Sequence, residues 1–244
     1  MRPRLGRLAT VVHHLPRIAS TNDVAREVGI EGAVVIADEQ TAGRGRRGHA
    51  WFSPPGSGLY VSVVLAPDRA PDPRRATSLL TLAAGVGIAE GLQAATGLTA
   101  HLKWPNDLFV GSRKLGGILA EAHGDAVVTG YGINLAVTVY PPDVRDRATC
   151  LESELGQPPD RAAVFVETLA GLAARYDDLL AGRFDAILDA WCRLAPGAHG
   201  APVGWSTPEG VRRGTTAGID ADGALRVRTA AGLERITGGE LQWL

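Results

Sequence analysis

The sequence predicts an α+β protein in two parts: a body of mixed strands and helices over residues 1–198 and a small all-β module over residues 199–244. Three observations lead there. The chain has 244 residues, enough for one domain of about 200 residues plus a small module, with a core that needs neither disulfides nor a structural metal. Short apolar runs bounded by turn residues are interspersed with stretches apolar at every third or fourth place, so strand and helix periods are both present. Finally, PGAHGAP at 196–202 reads as a linker, and only strand signals follow it. Glycine and proline together make about 19% of the chain against a usual ~12%, so loops and strands must share it with the helices.

In chain order, residues 11–18 read as a strand ending at Ser20-Thr21-Asn22-Asp23, whose side-chain oxygens favour a helix N-cap, with a short helix over 24–28. GAVVIA at 32–37 is a buried strand. The polar stretch 39–58 fits neither period, and LYVSVVL at 59–65 is another strand. After Pro73, Leu79, Leu82, Ala83, Val86, Ala89 and Leu92 mark a helix that Gly97 closes. Short strands follow at 101–104, 107–110, 118–121 and 126–130. Beyond a proline-rich loop, Asp160 caps a long helix with Val164, Leu169, Leu172, Ala173, Tyr176 and Leu180 on its apolar face; Gly182 ends it, and a further helix runs to Leu194. In the tail, strands at 211–219, 225–229 and 233–236 surround the hairpin signal Asp220-Ala221-Asp222-Gly223, which predicts a small barrel packed on the body.

Charge and cysteine content narrow the function. A net charge of −1 gives no footprint for nucleic acid or an anionic membrane. Cys150 and Cys192 form no CxxC pair and no Cys/His ligand cluster, which argues against zinc. The amino-terminal residues lack an apolar signal region, and no run of 18 apolar residues occurs. The expectation is a soluble, cytoplasmic protein without disulfides; oligomeric state is open, a homodimer included. Of 25 basic residues only Lys103 and Lys114 are lysine, and asparagine occurs only at Asn22, Asn106 and Asn134. Four of these five lie in short Gly- or Pro-marked polar stretches, the setting of a site.

The sharpest of those stretches is Gly43-Arg44-Gly45-Arg46-Arg47-Gly48. It matches G-x-G-x-x-G, yet the following His49-Ala50-Trp51-Phe52-Ser53-Pro54-Pro55 cannot open the helix that a dinucleotide fingerprint needs. Three guanidiniums within four residues repel each other unless an anion joins them, so an anion-binding loop is the better reading. Its bland competitor is a solvated basic turn. In Lys103-Trp104-Pro105-Asn106-Asp107, one ammonium stands beside an amide and a carboxylate, suited to draw two anions together or merely to an exposed β-turn. Gly130-Tyr131-Gly132-Ile133-Asn134 puts an amide at a strand end, where Asn is commonly a turn former. Ser20-Thr21-Asn22 can read a polar head group or simply cap a helix.

Taken in order, GRGRRG with W-F-S-P, then K-W-P-N-D, R-K-L-G-G-I-L-A-E and G-x-G-I-N, the chain resembles the biotin protein ligases from Ser20 to Asn134, and its tail resembles their second domain more loosely. The resemblance implies a catalytic domain related to class II aminoacyl-tRNA synthetases, with a mixed sheet and flanking helices, followed by an SH3-like β-barrel. It implies ATP with Mg2+ and biotin as reactants, biotinyl-5'-AMP as intermediate, and a lysine of biotin carboxyl carrier protein as acceptor. Ser20, Thr21, Asn22 and Gln40 then correspond to biotin contacts, Gly43, Arg44, Gly45 and Arg46 to the loop closing over the adenylate, and Gly116 and Gly117 to the strand backbone lining the pocket. Lys103 and Arg46 correspond to the catalytic cations, and Arg46, Arg47, Trp51, Lys103, Asn106 and Asn134 to nucleotide contacts; metal ligands stay unassigned. His49 stands where the family often continues its basic run. Only 19 residues precede Ser20, too few for the winged helix-turn-helix of family members that act as repressors, so no repressor role is expected. A lipoate or octanoate ligase or transferase of the same fold and a non-catalytic biotin sensor are the alternatives.

Overall fold

The computed structural model describes residues 2–138, 140–207, 210–239 and 241–244. Their strands form a seven-stranded sheet and a five-stranded sheet. The large sheet contains β1 (Val12–Ile18), β2 (Val34–Gln40), β3 (Gly58–Leu65), β4 (His101–Lys103), β5 (Asp107–Val110), β6 (Arg113–His123) and β7 (Ala126–Asn134). Their order is β1-β2-β3-β7-β6-β5-β4. The β1–β2 pair is parallel and the other pairs are antiparallel, so the sheet is mixed. Helix α1 (Thr21–Val28) makes the crossover that a parallel pair requires.

Strand alternation gives the sheet two different faces. Leu59, Val61, Val63, Ile118, Tyr131 and Ile133 point to one side, into a core with the long helices α2 (Pro73–Thr96) and α5 (Arg161–Leu180). Asp72 and Asp160 cap these helices by accepting backbone N–H bonds from Arg75 and from Ala162 and Ala163. Helix α2 is long and apolar enough by composition to cross a membrane, yet two thirds of its most apolar 18-residue window is buried inside the protein. At its crossing with α5, a Cβ at Gly87 would collide with the Gly171 backbone and one at Gly171 with Gly87, so glycine permits the close approach. On the opposite face, Val35, Val64 and Val128 cover only the end of the sheet beneath α1, with Ala25, Val24 and Val28 above them. Beyond them that face carries Tyr60, Ser62, Gly117, Leu119, Gly130 and Gly132.

Two short helices, α3 (Pro142–Arg145) and α4 (Leu151–Leu155), occupy the proline-rich stretch that carries no helix period in the sequence. Helix α6 (Phe184–Leu194) packs on α2. The residues of the expected linker instead form a 3-10 turn, Pro196–Ala198, and the start of β8 (His199–Thr207). A register irregularity between His199 and Pro202 lets that strand carry its proline. With β9 (Gly210–Ile219), β10 (Leu225–Thr229), β11 (Gly232–Ile236) and β12 (Leu241–Trp243), β8 builds the antiparallel second sheet, in order β11-β10-β9-β8-β12. The Asp220–Gly223 turn is tight: Gly223 has φ 82°, and Asp220 Oδ1 accepts the N–H groups of Asp222 and Ala224, both at 2.9 Å. Trp104 Nε1 donates to the Gly223 carbonyl at 2.9 Å, and Val203, Trp205, Leu225 and Val227 share a core cluster with Leu79 and Leu82 of α2.

Candidate active site

The polar face of the large sheet carries the site, and register explains why its residues meet. Lys103 pairs with Asp107, Asp107 with Gly117, Gly117 with Gly132, and Gly132 with Tyr60. Directly paired residues of antiparallel strands point the same way, so this row shares one face. Two residues along β7, a parallel row joins Leu119, Gly130 and Ser62. Gly117, Gly130 and Gly132 therefore make a floor without side chains. Something rests on two of them. A Cβ on Gly132 would collide with the Trp51 indole, and one on Gly130 with the Asn22 side-chain oxygen.

Helix α1 begins over this floor, which is how Ser20, Thr21 and Asn22, all buried, reach it. No hydrogen bond from the Ser20 side chain caps the helix. Gln40 takes over the first turn: its Oε1 accepts Thr21 N–H at 2.8 Å and Thr21 Oγ1 at 3.0 Å, while its Nε2 donates to Ser53 Oγ at 3.0 Å. Ser62 Oγ lies 2.7 Å from Thr21 Oγ1 and 2.5 Å from Asn22 Oδ1, and Asn22 Nδ2 donates to Glu121 Oε2 at 2.6 Å. The result is a set of buried hydroxyls and amides, joined by a partly exposed carboxylate, at one end of the glycine floor.

The Gly43–Gly48 segment is a small closed structure. Trp51 N–H donates to Gly43 O at 2.8 Å and Gly45 N–H to His49 O at 2.7 Å, around a 3-10 turn in which Arg47 has φ 56°. The three arginines do not act alike. Arg44 is held by Asp23 through two bonds of 2.8 Å, with Glu121 Oε2 at 3.3 Å. Its carboxylate partners already supply the anion. Arg46 is half-buried with its Nη1 3.5 Å from Asn106 Oδ1; burial lowers its pKa from the usual arginine value, repulsion from Arg47 adds to this, and Asp107 opposes it. Arg47 is exposed. Of the three, only Arg44 is in an ion pair among the described residues.

At the far end of the row, burial pushes the Lys103 ammonium below the usual lysine range, opposed by Asp107 and reinforced by Lys114. Lys114 Nζ pairs with Asp107 Oδ1 at 2.6 Å and lies 5.5 Å above the Trp51 ring. Both lysines of the chain thus face the site. Between them and the polar cluster, Trp51 Nε1 is buried without a hydrogen-bond partner, an unmet donor facing the floor. A cleft of about 500 Å³ opens beside the row, lined by Arg46, Arg47, Pro105 and Asn106 and by Gly223 and Arg235 of the small module.

Residues 15–137 match the biotin/lipoate A/B protein ligase family, and residues 206–242 match the biotin protein ligase C-terminal domain. The biotin–[acetyl-CoA-carboxylase] ligase of Paracoccus denitrificans is 35% identical over 242 residues, covering 93% of this chain and 98% of its own. The chain belongs to the biotin protein ligase family. The bifunctional ligase/repressor BirA of Bacillus spizizenii is 35% identical over 236 residues, 92% of this chain and 71% of that one. Among solved structures, the biotin protein ligase of Aquifex aeolicus in complex with biotin and ATP superposes with a TM-score of 0.80 at 28% identity, covering 96% of this chain and 98% of that one. The mixed sheet with flanking helices is the catalytic fold of these ligases, and the second antiparallel sheet is consistent with their SH3-like module.

Against that family pattern, the structure brings Thr21, Asn22, Gln40, Gly43, Trp51, Lys103 and Gly117 to one face. Gly116 turns to the other: it pairs with Leu108 and Ile133, and a Cβ there would lie 3.2 Å from the Leu108 side chain. Asn106 and Asn134 serve the backbone, donating to Ile118 O at 2.7 Å and Thr149 O at 2.9 Å. Sequence reasoning missed Ser62, Glu121 and Asp23. Ser62 was legible as the one polar residue inside LYVSVVL. No group of three or more His, Cys, Asp or Glu side chains able to hold a metal occurs among the described residues. Mg2+ fits this chain as part of the nucleotide substrate, keeping phosphate and water ligands.

Proposed function

We propose that this chain joins biotin to Mg-ATP, giving biotinyl-5'-AMP and pyrophosphate, and passes the biotinyl group to a lysine of a biotin carboxyl carrier protein. One observation supports this most: a floor of glycines, Gly117–Gly130–Gly132, with a cluster of hydroxyls and amides at one end and an ammonium at the other, on the same sheet face. That ammonium is Lys114 of β6, over the floor beside Trp51 and Asp107; the expected Lys103 lies on the edge strand β4. That arrangement suits a ligand with a urea head, an alkyl arm and a carboxylate tail. Thr21, Asn22, Gln40 and Ser62 present the donors and acceptors that a ureido group needs, with Ser20 beside them.

In the first step a carboxylate oxygen attacks the α-phosphorus and the bond to the pyrophosphate oxygen breaks. Two anions must approach, and the Lys114 ammonium at their meeting point offsets the repulsion, with Arg46 and Arg47 on the phosphates. Trp51 and the closed loop keep water from the mixed anhydride. In the second step the acceptor amine attacks the acyl carbon, AMP departs, and the amine loses a proton. No side-chain nucleophile takes part. The reading assigns residues 1–198 to the catalytic domain, 199–244 to the second domain, and the cytoplasm as the place of work.

The test is pyrophosphate release with Mg-ATP and either biotin or lipoate, followed by mass analysis of a carrier-protein domain. Biotin-dependent release with a single acylated carrier lysine is the expected result. Release with lipoate alone, or with neither acid, overturns the reading.

A further inference from the structure

Lys114 reaches the glycine floor against the alternation of its own strand. Gly117 points to the site, so an unbroken β6 would turn Lys114, three residues earlier, toward the core. The register with β5 shows what reverses it. Leu108 and Phe109 are neighbours, but their partners, Gly116 and Lys114, are two apart, which leaves Leu115 as the extra residue of a β-bulge. Leu115 is fully buried in the core, and Lys114 comes round to the site, its Nζ 3.5 Å from where a Cβ on Gly117 would stand. A bulge interrupts the ladder, and β7 gives no support here, since its pairing with β6 stops at Ile133 opposite Gly116. The segment 147–149 takes its place. Lys114 N–H donates to Arg147 O at 2.7 Å and Thr149 N–H donates to Lys114 O at 2.9 Å, a parallel bridge on the lysine itself. Two side chains fix that segment. Asn134 Nδ2 donates to Thr149 O at 2.9 Å, and the buried Thr149 hydroxyl donates to the Glu154 carboxylate, which Arg113 of β6 also holds at 2.7 Å.

We propose that Thr149 is a positioning residue for adenylate formation, clamping the bulge that aims Lys114 at the reacting anions. The inference rests on the reaction proposed above, with Lys114 as its ammonium. A flexible four-carbon stem places its charge well only when the backbone beneath it is fixed. At a bulge the strand ladder does not fix it, so the fixing falls to the bridge from Thr149 and to the Glu154 carboxylate that ties Thr149 back to β6. The clamp acts through Lys114 alone.

The test measures single-turnover adenylation with biotin and Mg-ATP, calorimetric biotin affinity, and hydrogen exchange at the Lys114 amide, all in the full chain. Thr149→Val keeps the shape of the side chain and loses the hydroxyl. It is expected to slow adenylation roughly tenfold, since a group misplaced by about 1 Å can cost about 10² in rate. Exchange at the Lys114 amide should quicken, as its bond to Arg147 opens more often. Biotin affinity should stay within about twofold, Thr149→Ser should restore most of the rate, and Thr149→Val should add nothing in a Lys114→Gln background. Wild-type adenylation in Thr149→Val overturns the inference, as does an equal slowing in the Lys114→Gln background, which would mark a loosened fold. If Lys114→Gln itself adenylates at the wild-type rate, the role of Lys114 falls and the inference falls with it.

Discussion

Arg44 grips Asp23 through two parallel hydrogen bonds of 2.8 Å and so ties the glycine loop to the first turn of α1. Bidentate pairing of this kind fixes direction as well as distance. The pair joins the two segments that line the polar end of the floor, because Asn22 and Arg44 also share Glu121. The position of the loop and that of the Asn22 side chain are therefore coupled through Asp23 and Glu121.

Asp23→Asn is expected to weaken biotin binding and to destabilise the fold by about 1 kcal/mol at neutral pH, the pair being partly exposed. The Arg44 hydrogen bond holds the Asp23 carboxyl below its usual value of 3.8. A lowered native value means the stabilisation is complete above the unfolded-state value and is lost as pH falls through the native one. Urea midpoints of wild type should therefore drop more steeply than those of Asp23→Asn below about pH 4. Parallel curves would show that the pair contributes nothing.

Lys114→Ala should reduce single-turnover adenylation by about 10²–10³ while changing biotin affinity far less, because its charge matters most where the two anions converge. Calorimetry beside quenched-flow measurement separates the two effects. Collapse of biotin affinity with normal adenylation would give the lysine a different role.

The glycine floor can be blocked at two separate points. Gly130→Ala drives a methyl group into the Asn22 oxygen, and Gly132→Ala drives one into the Trp51 ring. The first should chiefly weaken biotin binding and the second chiefly disturb the Trp51 fluorescence and nucleotide affinity. Equal effects of both variants on both ligands would contradict the division of the floor into a head-group end and a nucleotide end.

Trypsin should cut the free protein first after Arg47, which is exposed, and later after Arg44 and Arg46, which are half-buried. Biotin with Mg-ATP should slow cleavage at all three, since phosphates supply Arg46 and Arg47 with the anion they lack. Cleavage that is indifferent to ligand would remove the loop from the closing step.

Ending the chain after Ala198 should leave a catalytic part that adenylates slowly and aggregates. Gly223 accepts from the Trp104 indole, Arg75 donates to Ala221 at 2.9 Å, and Leu79 and Leu82 pack under the Asp220–Gly223 turn. Removing the module uncovers those side chains and the Trp243 contact on Lys103. Full activity in the shortened protein would show the module to be dispensable.

The sequence by itself determined the local elements and the chemical inventory of this protein. The helix from Pro73 to Gly97, the Asp160 cap and the Asp-Gly hairpin were readable because each depends on neighbours within a few residues. Scarcity of lysine and asparagine pointed to Lys103, Lys114, Asn22, Asn106 and Asn134; the two lysines and Asn22 border the polar sheet face, whereas Asn106 and Asn134 donate to backbone carbonyls. Tertiary structure alone decided which residues share a face. Gly116 and Gly117 are adjacent in sequence, yet strand alternation turns one to the core and the other to the site. The partner of Arg44 lies 21 residues away and that of Asn22 lies 99 away, and Lys103 meets a tryptophan from the far end of the chain. Such pairings depend on sheet register and on burial of the common core, long-range properties that no local window of residues encodes.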